Sequence, residues 1–332
     1  MSVEQTPLKP HERLAAMLDD DMADVNTLIR TRMASEHAPR IPEVTAHLVE
    51  AGGKRLRPLL TLAAARMCGY TGPYHVHLAA TVEFIHTATL LHDDVVDESD
   101  KRRGRPTANL LWDNKSSVLV GDYLFARSFQ LMTETGNLDV LRILSNAAAT
   151  IAEGEVLQLT AAQDLSTTEA TYLQVVRGKT AALFSAATEV GGVIAGRPED
   201  EIKALFDYGD ALGIAFQIVD DLLDYWGSDA TGKNVGDDFR ERKLTLPLIK
   251  AIGKGNDEER AFWKRVIEKG DQRDGDLEHA IELLNKHGAL EETRQEALAW
   301  AEKAKKAMAV LPQSELRDLL IELNDFVVSR VS

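Results

Sequence analysis

Apolar residues recur every three or four positions along almost the whole chain, and no stretch alternates long enough to read as a strand. After a polar lead, His11 to about Ser35 predicts a first helix. Pro42 opens a short second one, which Gly52-Gly53 ends. A third is expected from about Leu56 to Cys68, stopping at Gly69, with Gly72-Pro73 as the turn. The fourth runs from about Pro73 to Ser99, and Gly104-Arg105-Pro106 breaks it. The fifth covers about Ala108 to Thr133. Asn137 caps a sixth, extending to about Gln163. Ser166 and Glu169 have the spacing of a capping box for a seventh, fading at Gly191-Gly192. Pro198 followed by Glu199, Asp200 and Glu201 marks the first turn of an eighth, which ends near Gly227. Gly232 to Asp237 reads as a loop. Charged amphipathic helices follow, and Pro312 restarts the last. With no Ser/Gly/Pro linker, low-complexity tract or short repeat, the pattern predicts one all-α domain over residues 1–332.

Composition narrows the possibilities. Apolar residues are 44% of 332, ample for a core, and the formal net charge of -15 argues against nucleic acid or an anionic membrane surface as the main partner. The single cysteine, Cys68, excludes an intrachain disulfide and reads as a packing residue. The first residues lack the basic start and apolar core of a signal peptide, and no uncharged apolar run is long enough to span a membrane. A cytoplasmic protein is expected.

Two motifs stand out against the apolar periodicity: Asp93-Asp94-Val95-Val96-Asp97 and Asp220-Asp221-Leu222-Leu223-Asp224. Each lies in a helix-like run, where residues three and four apart share a face. Two carboxylates about 4 Å apart repel by ~1 kcal/mol in water and by roughly 4 kcal/mol near a protein surface. Crowding of this kind, present twice, calls for a cation. Hard oxygen ligands completed by water and phosphate suit Mg²⁺. The two helices are expected to face each other across one cavity.

Basic residues cluster around these motifs. Gly52 to Pro58 contains Lys54, Arg55 and Arg57, and Arg102, Arg103 and Arg105 follow the first motif. Lys179-Thr180 lies on the seventh predicted helix, and Lys233 and Lys243 follow the second motif. Carboxylates, a divalent cation and Lys/Arg side chains together make an electrostatic kit for a diphosphate.

Gly52 to Pro58, Asp93 to Thr107, Lys179-Thr180, Phe216 to Tyr225 and Gly232 to Pro247 resemble, in order, the signatures of the trans-isoprenyl diphosphate synthases. The resemblance implies a large antiparallel helical bundle around a deep central cavity, usually a homodimer. It also implies Mg²⁺-dependent head-to-tail condensation of isopentenyl diphosphate onto an allylic diphosphate such as farnesyl or geranylgeranyl diphosphate. By position, Asp93, Asp94, Asp97, Asp220, Asp221 and Asp224 would hold roughly two or three Mg²⁺ ions. Arg102, Lys179, Lys233 and Lys243 would contact the allylic diphosphate. Lys54, Arg57, His86 and Arg103 would hold the diphosphate of isopentenyl diphosphate. Thr180 and Gln217 would sit near the developing cation. Asp93, Asp94, Lys179, Thr180 and Gln217 are the expected catalytic set. In this family glycine often precedes the lysine matching Lys243; here Arg242 stands there.

Product length should follow cavity depth. Ala88 and Thr89 lie about one turn before Asp93. In the family a large aromatic ring at these positions stops the growing chain. Small residues here imply a long product, of roughly eight to ten isoprene units. Phe84, Phe129 and Met132 are candidates for the cavity floor, although aromatic and Met residues at helical spacing more often pack a core. The details resemble the octaprenyl to decaprenyl synthases that supply the ubiquinone side chain. A class I terpene cyclase would not need the Gly52-to-Pro58 box, and a non-catalytic subunit would lack some of these aspartates or basic residues.

Overall fold

The computed structural model describes residues 8–50, 53–102, 104–226 and 235–331. Within them the chain is all-α apart from one short hairpin. The helices are α1 (Pro10–Met17), α2 (Asp19–Met33), α3 (Arg40–Glu50), α4 (Leu56–Met67), α5 (Tyr74–Val96), α6 (Ala108–Leu111), α7 (Asn114–Glu134), α8 (Leu138–Ala161) and α9 (Glu169–Val176). Then come α10 (Ala182–Ile194), α11 (Glu199–Trp226), α12 (Asp237–Arg240), α13 (Leu246–Lys254), α14 (Asp257–Trp263), α15 (Asp276–Lys286), α16 (Ala289–Met308) and α17 (Glu315–Ser329). The hairpin pairs β1 (Lys101–Arg102) with β2 (Arg105–Pro106) in antiparallel register. No helix among the described residues is long and apolar enough to cross a membrane.

Several boundaries differ from the sequence reading. The first predicted helix is two, because Leu18 leaves helical geometry at φ -114°, ψ 22°. The fifth is also two: Asp113 caps α7 by accepting from the Ser116 amide, so α6 stops short. The seventh starts from Thr168, whose hydroxyl accepts from the Thr171 amide, whereas Ser166 bonds to Asp164. It then widens into a π-helical turn over Arg177–Ala181 before α10. The hairpin is a small exception to the expectation of no strand.

Backbone packing divides the chain into two compact units. The first comprises Met1–Ala148, Ala186–Phe206 and Val310–Leu320; the second comprises Ala149–Ser185, Asp207–Ala309 and Ile321–Ser332.

In the first unit α5 packs chiefly on α7, and also on α4 and α2. Its buried face includes Leu78, Phe84, Ile85, Ala88 and Leu91. Burying an aliphatic or phenyl side chain of this size contributes ~1.5–3 kcal/mol. Near the end of α5 the His92 ring lies over Gly121 of α7, where a Cβ would come within 2.2 Å of Nε2. His92 also bonds the Val118 carbonyl at 3.1 Å. Those contacts fix the last turns of α5, which carry the first aspartate motif.

In the second unit, α8 and the π-helical turn approach so closely that a Cβ on Gly178 would lie 2.6 Å from Gly154 Cα. Only glycine on both sides permits this. The extra residue of a π-turn shifts the side chains that follow, and such turns often mark functional sites. Here it presents Lys179 and Thr180. The second motif sits in the last turns of α11, with Ile218, Val219, Leu222 and Leu223 buried.

Candidate active site

The first motif straddles the end of α5. Asp93 and Asp94 are helical, while Asp97 is the C-terminal cap, its amide donating to the Asp93 carbonyl at 2.8 Å. Asp93 is half-buried and Asp97 exposed, whereas Asp94 is wholly inaccessible. The chain reverses through Glu98 at φ 51°. Thr107 Oγ donates to the Ser99 carbonyl at 2.6 Å, and the Pro106 carbonyl accepts from His47 Nε2 at 2.8 Å. The hairpin thereby returns Arg102 to the motif. Arg102 Nε and Nη2 both reach Asp94 Oδ1, at 2.9 and 2.8 Å. Among the described residues, Asp94 Oδ2 is buried with no hydrogen-bond partner. Arg103 lies outside the described residues.

The basic box precedes α4. Arg55 takes the left-handed conformation (φ 48°) at its N-cap and pairs with Glu83 of α5 at 3.2 Å. Arg57 Nη1 donates to His86 Nε2 at 3.3 Å, so that nitrogen acts as acceptor. The structure brings Arg57 and His86 side by side. Lys54 is exposed; after burial, its charge is the next cause of a lowered His11 pKa.

Below the motif Ala88 is fully buried, and Thr89 is half-buried with its hydroxyl turned to the His86 carbonyl at 2.8 Å. Phe84 and Met132 are buried in the core. Phe129 is not: it is 43% exposed on the outer face of α7, so it cannot line an interior cavity of this unit. Cys68 caps α4, and burial pushes its thiol up to about 11, consistent with a packing role.

In the second unit Thr180, Gln217, Asp221 and Tyr172 are linked by hydrogen bonds. Thr180 Oγ donates to Gln217 Oε1 at 2.8 Å, and Gln217 Nε2 donates to Asp221 Oδ1 at 2.8 Å. Tyr172 Oη donates to Asp221 Oδ2 at 2.5 Å. Lys179 Nζ donates to Glu155 at 3.1 Å. Burial, opposed by these hydrogen bonds but reinforced by Asp220 and Asp224, raises Asp221 to about 7. Asp224 anchors the next helix, its oxygens accepting from the Asp237 and Asp238 amides at 3.1 Å each. Lys243 pairs with Glu241 at 2.5 Å, and its amide donates to the Asp238 carbonyl at 2.9 Å. Lys233 lies outside the described residues.

Sequence reasoning missed two members. Tyr172 gives no local signal. Asp238 stands beside Asp237 in the first turn of α12, after the second motif, and burial together with Asp221 and Asp224 pushes it up to about 8. An acidic pair following a glycine-rich loop was the available clue.

Each unit by itself offers hard oxygen donors of the kind a divalent cation takes. In the first, among the described residues, Asp94 Oδ2 is buried with no hydrogen-bond partner. In the second, burial together with Asp220 and Asp224 raises Asp221, and burial together with Asp221 and Asp224 raises Asp238. Among the described residues no three or more His, Cys, Asp or Glu side chains already converge as a metal site. Mg²⁺ typically takes only one or two carboxylates from a protein and completes its shell with water and substrate phosphate.

A family profile described as polyprenyl synthetase matches residues 38–284. The chain is 48% identical over 320 residues to the octaprenyl diphosphate synthase of Escherichia coli (strain K12), covering 96% of this chain and 98% of that one. It is also similar to the crystal structure of a decaprenyl diphosphate synthase from Rhodobacter capsulatus, with TM-score 0.95 and 75% identity over 97% of this chain and 100% of that one. A polyprenyl synthase from Caulobacter crescentus CB15, complexed with calcium and isoprenyl diphosphate, gives TM-score 0.91 and 51% identity, covering 98% and 100% of the two chains.

Proposed function

The chain belongs to the polyprenyl synthetase family, and from that premise we propose how its residues perform the reaction. It is a prenyltransferase, a long-chain polyprenyl diphosphate synthase. In our reading it condenses isopentenyl diphosphate head to tail onto an allylic diphosphate, with farnesyl or geranylgeranyl diphosphate as primer. The buried, unpartnered Asp94 Oδ2 beside Arg102 carries this reading most directly. Such an oxygen is costly unless a cation meets it.

Asp93, Asp94 and Asp97, with Asp220, Asp221 and Asp224, are the proposed Mg²⁺ ligands. The calcium of the Caulobacter protein is consistent with that choice. When bound, the ions would neutralise charge building on the departing diphosphate. Arg102 orients Asp94, and with Lys179, Lys233 and Lys243 it holds the allylic diphosphate. Lys54, Arg57, His86 and Arg103 hold the diphosphate of the second substrate. These fixed charges favour the state in which the allylic C–O bond is broken. The double bond of isopentenyl diphosphate attacks the allylic cation, and the released diphosphate takes the proton then lost. Gln217, held between Thr180 and Asp221, directs an amide dipole near the cation.

Small side chains at Ala88 and Thr89 support a product of octaprenyl to decaprenyl length, suited to a ubiquinone side chain. Residues 1–332 are proposed to act as one domain, since α8, α10, α11 and α17 each contribute residues to both units. A homodimer is proposed because the first unit exposes Val118, Leu119 and Phe129 on α7 and the second exposes Val156 and Leu159 on α8. A cytoplasmic location accords with the single cysteine. The test is to incubate the purified protein with farnesyl diphosphate, isopentenyl diphosphate and Mg²⁺ and weigh the products. Elongated diphosphates are expected; no elongation would refute the reading.

A further inference from the structure

Arg242, directly before Lys243, adopts φ 60°. This left-handed geometry is uncommon for a residue bearing a side chain. Its guanidinium is tied down on three sides. Nε donates to the Ile267 carbonyl at 2.7 Å, and Nη2 donates to the Glu268 carbonyl and to Gln163 Oε1, each at 2.7 Å. The group lies over Gly270, where a Cβ would come within 2.9 Å of Nη1. The backbone it anchors is the turn of interest: the Arg242 amide donates to the Phe239 carbonyl at 3.0 Å, and the Lys243 amide to the Asp238 carbonyl at 2.9 Å.

We propose that Arg242 is a positioning residue: its fork clamps the α12–α13 turn to the π-helical segment Lys264–Glu268, so that Lys243 is presented to the allylic diphosphate. The inference rests on the proposed function for the ligand, and on geometry alone for the clamp. Glycine makes such a turn permissible without fixing it. Arginine holds the same strained backbone and adds three hydrogen bonds that a glycine cannot make. Gly270 is the matching half, since a side chain there would displace the fork.

The test compares Arg242→Ala, Arg242→Lys, Arg242→Gly and Gly270→Ala with the full-length wild type. Arg242→Ala keeps the strain without the clamp. Arg242→Lys keeps the charge but not the fork. Arg242→Gly removes strain and clamp together. Amide exchange over residues 239–245 should accelerate about tenfold in the Ala and Lys variants and in Gly270→Ala, and less in Arg242→Gly. The KM for the allylic diphosphate should rise about tenfold in the same order, with the KM for isopentenyl diphosphate little changed. Unchanged exchange in Arg242→Ala and Gly270→Ala would overturn the clamp, whether or not the wild type elongates a substrate. Faster exchange with both KM values unchanged, in a wild type that does elongate, would overturn its link to the substrate.

Discussion

Tyr172 donates its hydroxyl proton to Asp221 at 2.5 Å, and both groups are buried. The tyrosine belongs to α9 and the aspartate to α11, so the hydrogen bond sets the direction of the carboxylate in the second motif. A hydrogen bond to a charged group is worth ~1.5–3 kcal/mol. Tyr172→Phe should therefore lower kcat/KM by roughly ten- to a hundredfold and raise the Mg²⁺ concentration for half-maximal rate. Steady-state kinetics across a Mg²⁺ series checks both.

Asp94 offers a contrast within the first unit. Asp94→Asn keeps the shape but removes the charge facing Arg102. Turnover should fall by at least about a thousandfold, as expected when an electrostatic group at the reacting centre is lost. Thermal unfolding should show a smaller effect, because the Arg102 side chain is 28% exposed and can recover water. A large fall in stability with turnover intact would reverse this assignment.

Asp221 and Asp238 make the metal-free protein sensitive to pH. Burial raises both above the ordinary carboxylate value of 3.8, to about 7 and about 8. The folded state therefore binds protons more tightly than the unfolded chain. Stability must fall as pH rises through the window from roughly 4 to 8. Melting scans of chelator-treated protein should show this decline. Asp238→Asn should flatten it, and Mg²⁺ should raise the melting temperature more at pH 8 than at pH 6.

Ala88 has no exposed surface, and Phe129 is 43% exposed. Ala88→Phe should shorten the product by several isoprene units, whereas Phe129→Ala should leave its length unchanged. Mass spectrometry of the two product mixtures separates an interior stop from an outer surface residue.

The apolar face of α7 should be covered by a second copy. Leu119→Glu combined with Phe129→Glu places charge on that face, where each residue is now exposed (67% and 43%). Light scattering after gel filtration should show monomer in place of dimer. A wild type that is already monomeric would refute the homodimer.

Glycine, proline and capping residues made much of the fold legible. Gly69 ends α4 at φ 80°, and Asn137 caps α8 through the Asp139 and Val140 amides. Breaks without such punctuation were not legible. Leu18 and Trp112 interrupt apolar periodicity that continues on either side, and the π-turn at Arg177–Ala181 leaves no mark in a pattern of threes and fours. The candidate site divides in the same way. Arg57 and His86 could be grouped through the family resemblance, but the Tyr172–Asp221 bond joins residues far apart in sequence. Phe129 failed as a floor residue because helical spacing alone does not say which apolar stripe faces inward.

The proposed function depends on each aspartate motif binding divalent cations when diphosphate is present. Mn²⁺ paramagnetic resonance of the purified protein, with and without inorganic diphosphate, tests it most directly. The account predicts Mn²⁺ binding that strengthens with diphosphate and is lost in both Asp93→Ala and Asp220→Ala. Mn²⁺ binding that persists unchanged in either variant, or that is indifferent to diphosphate, would contradict it.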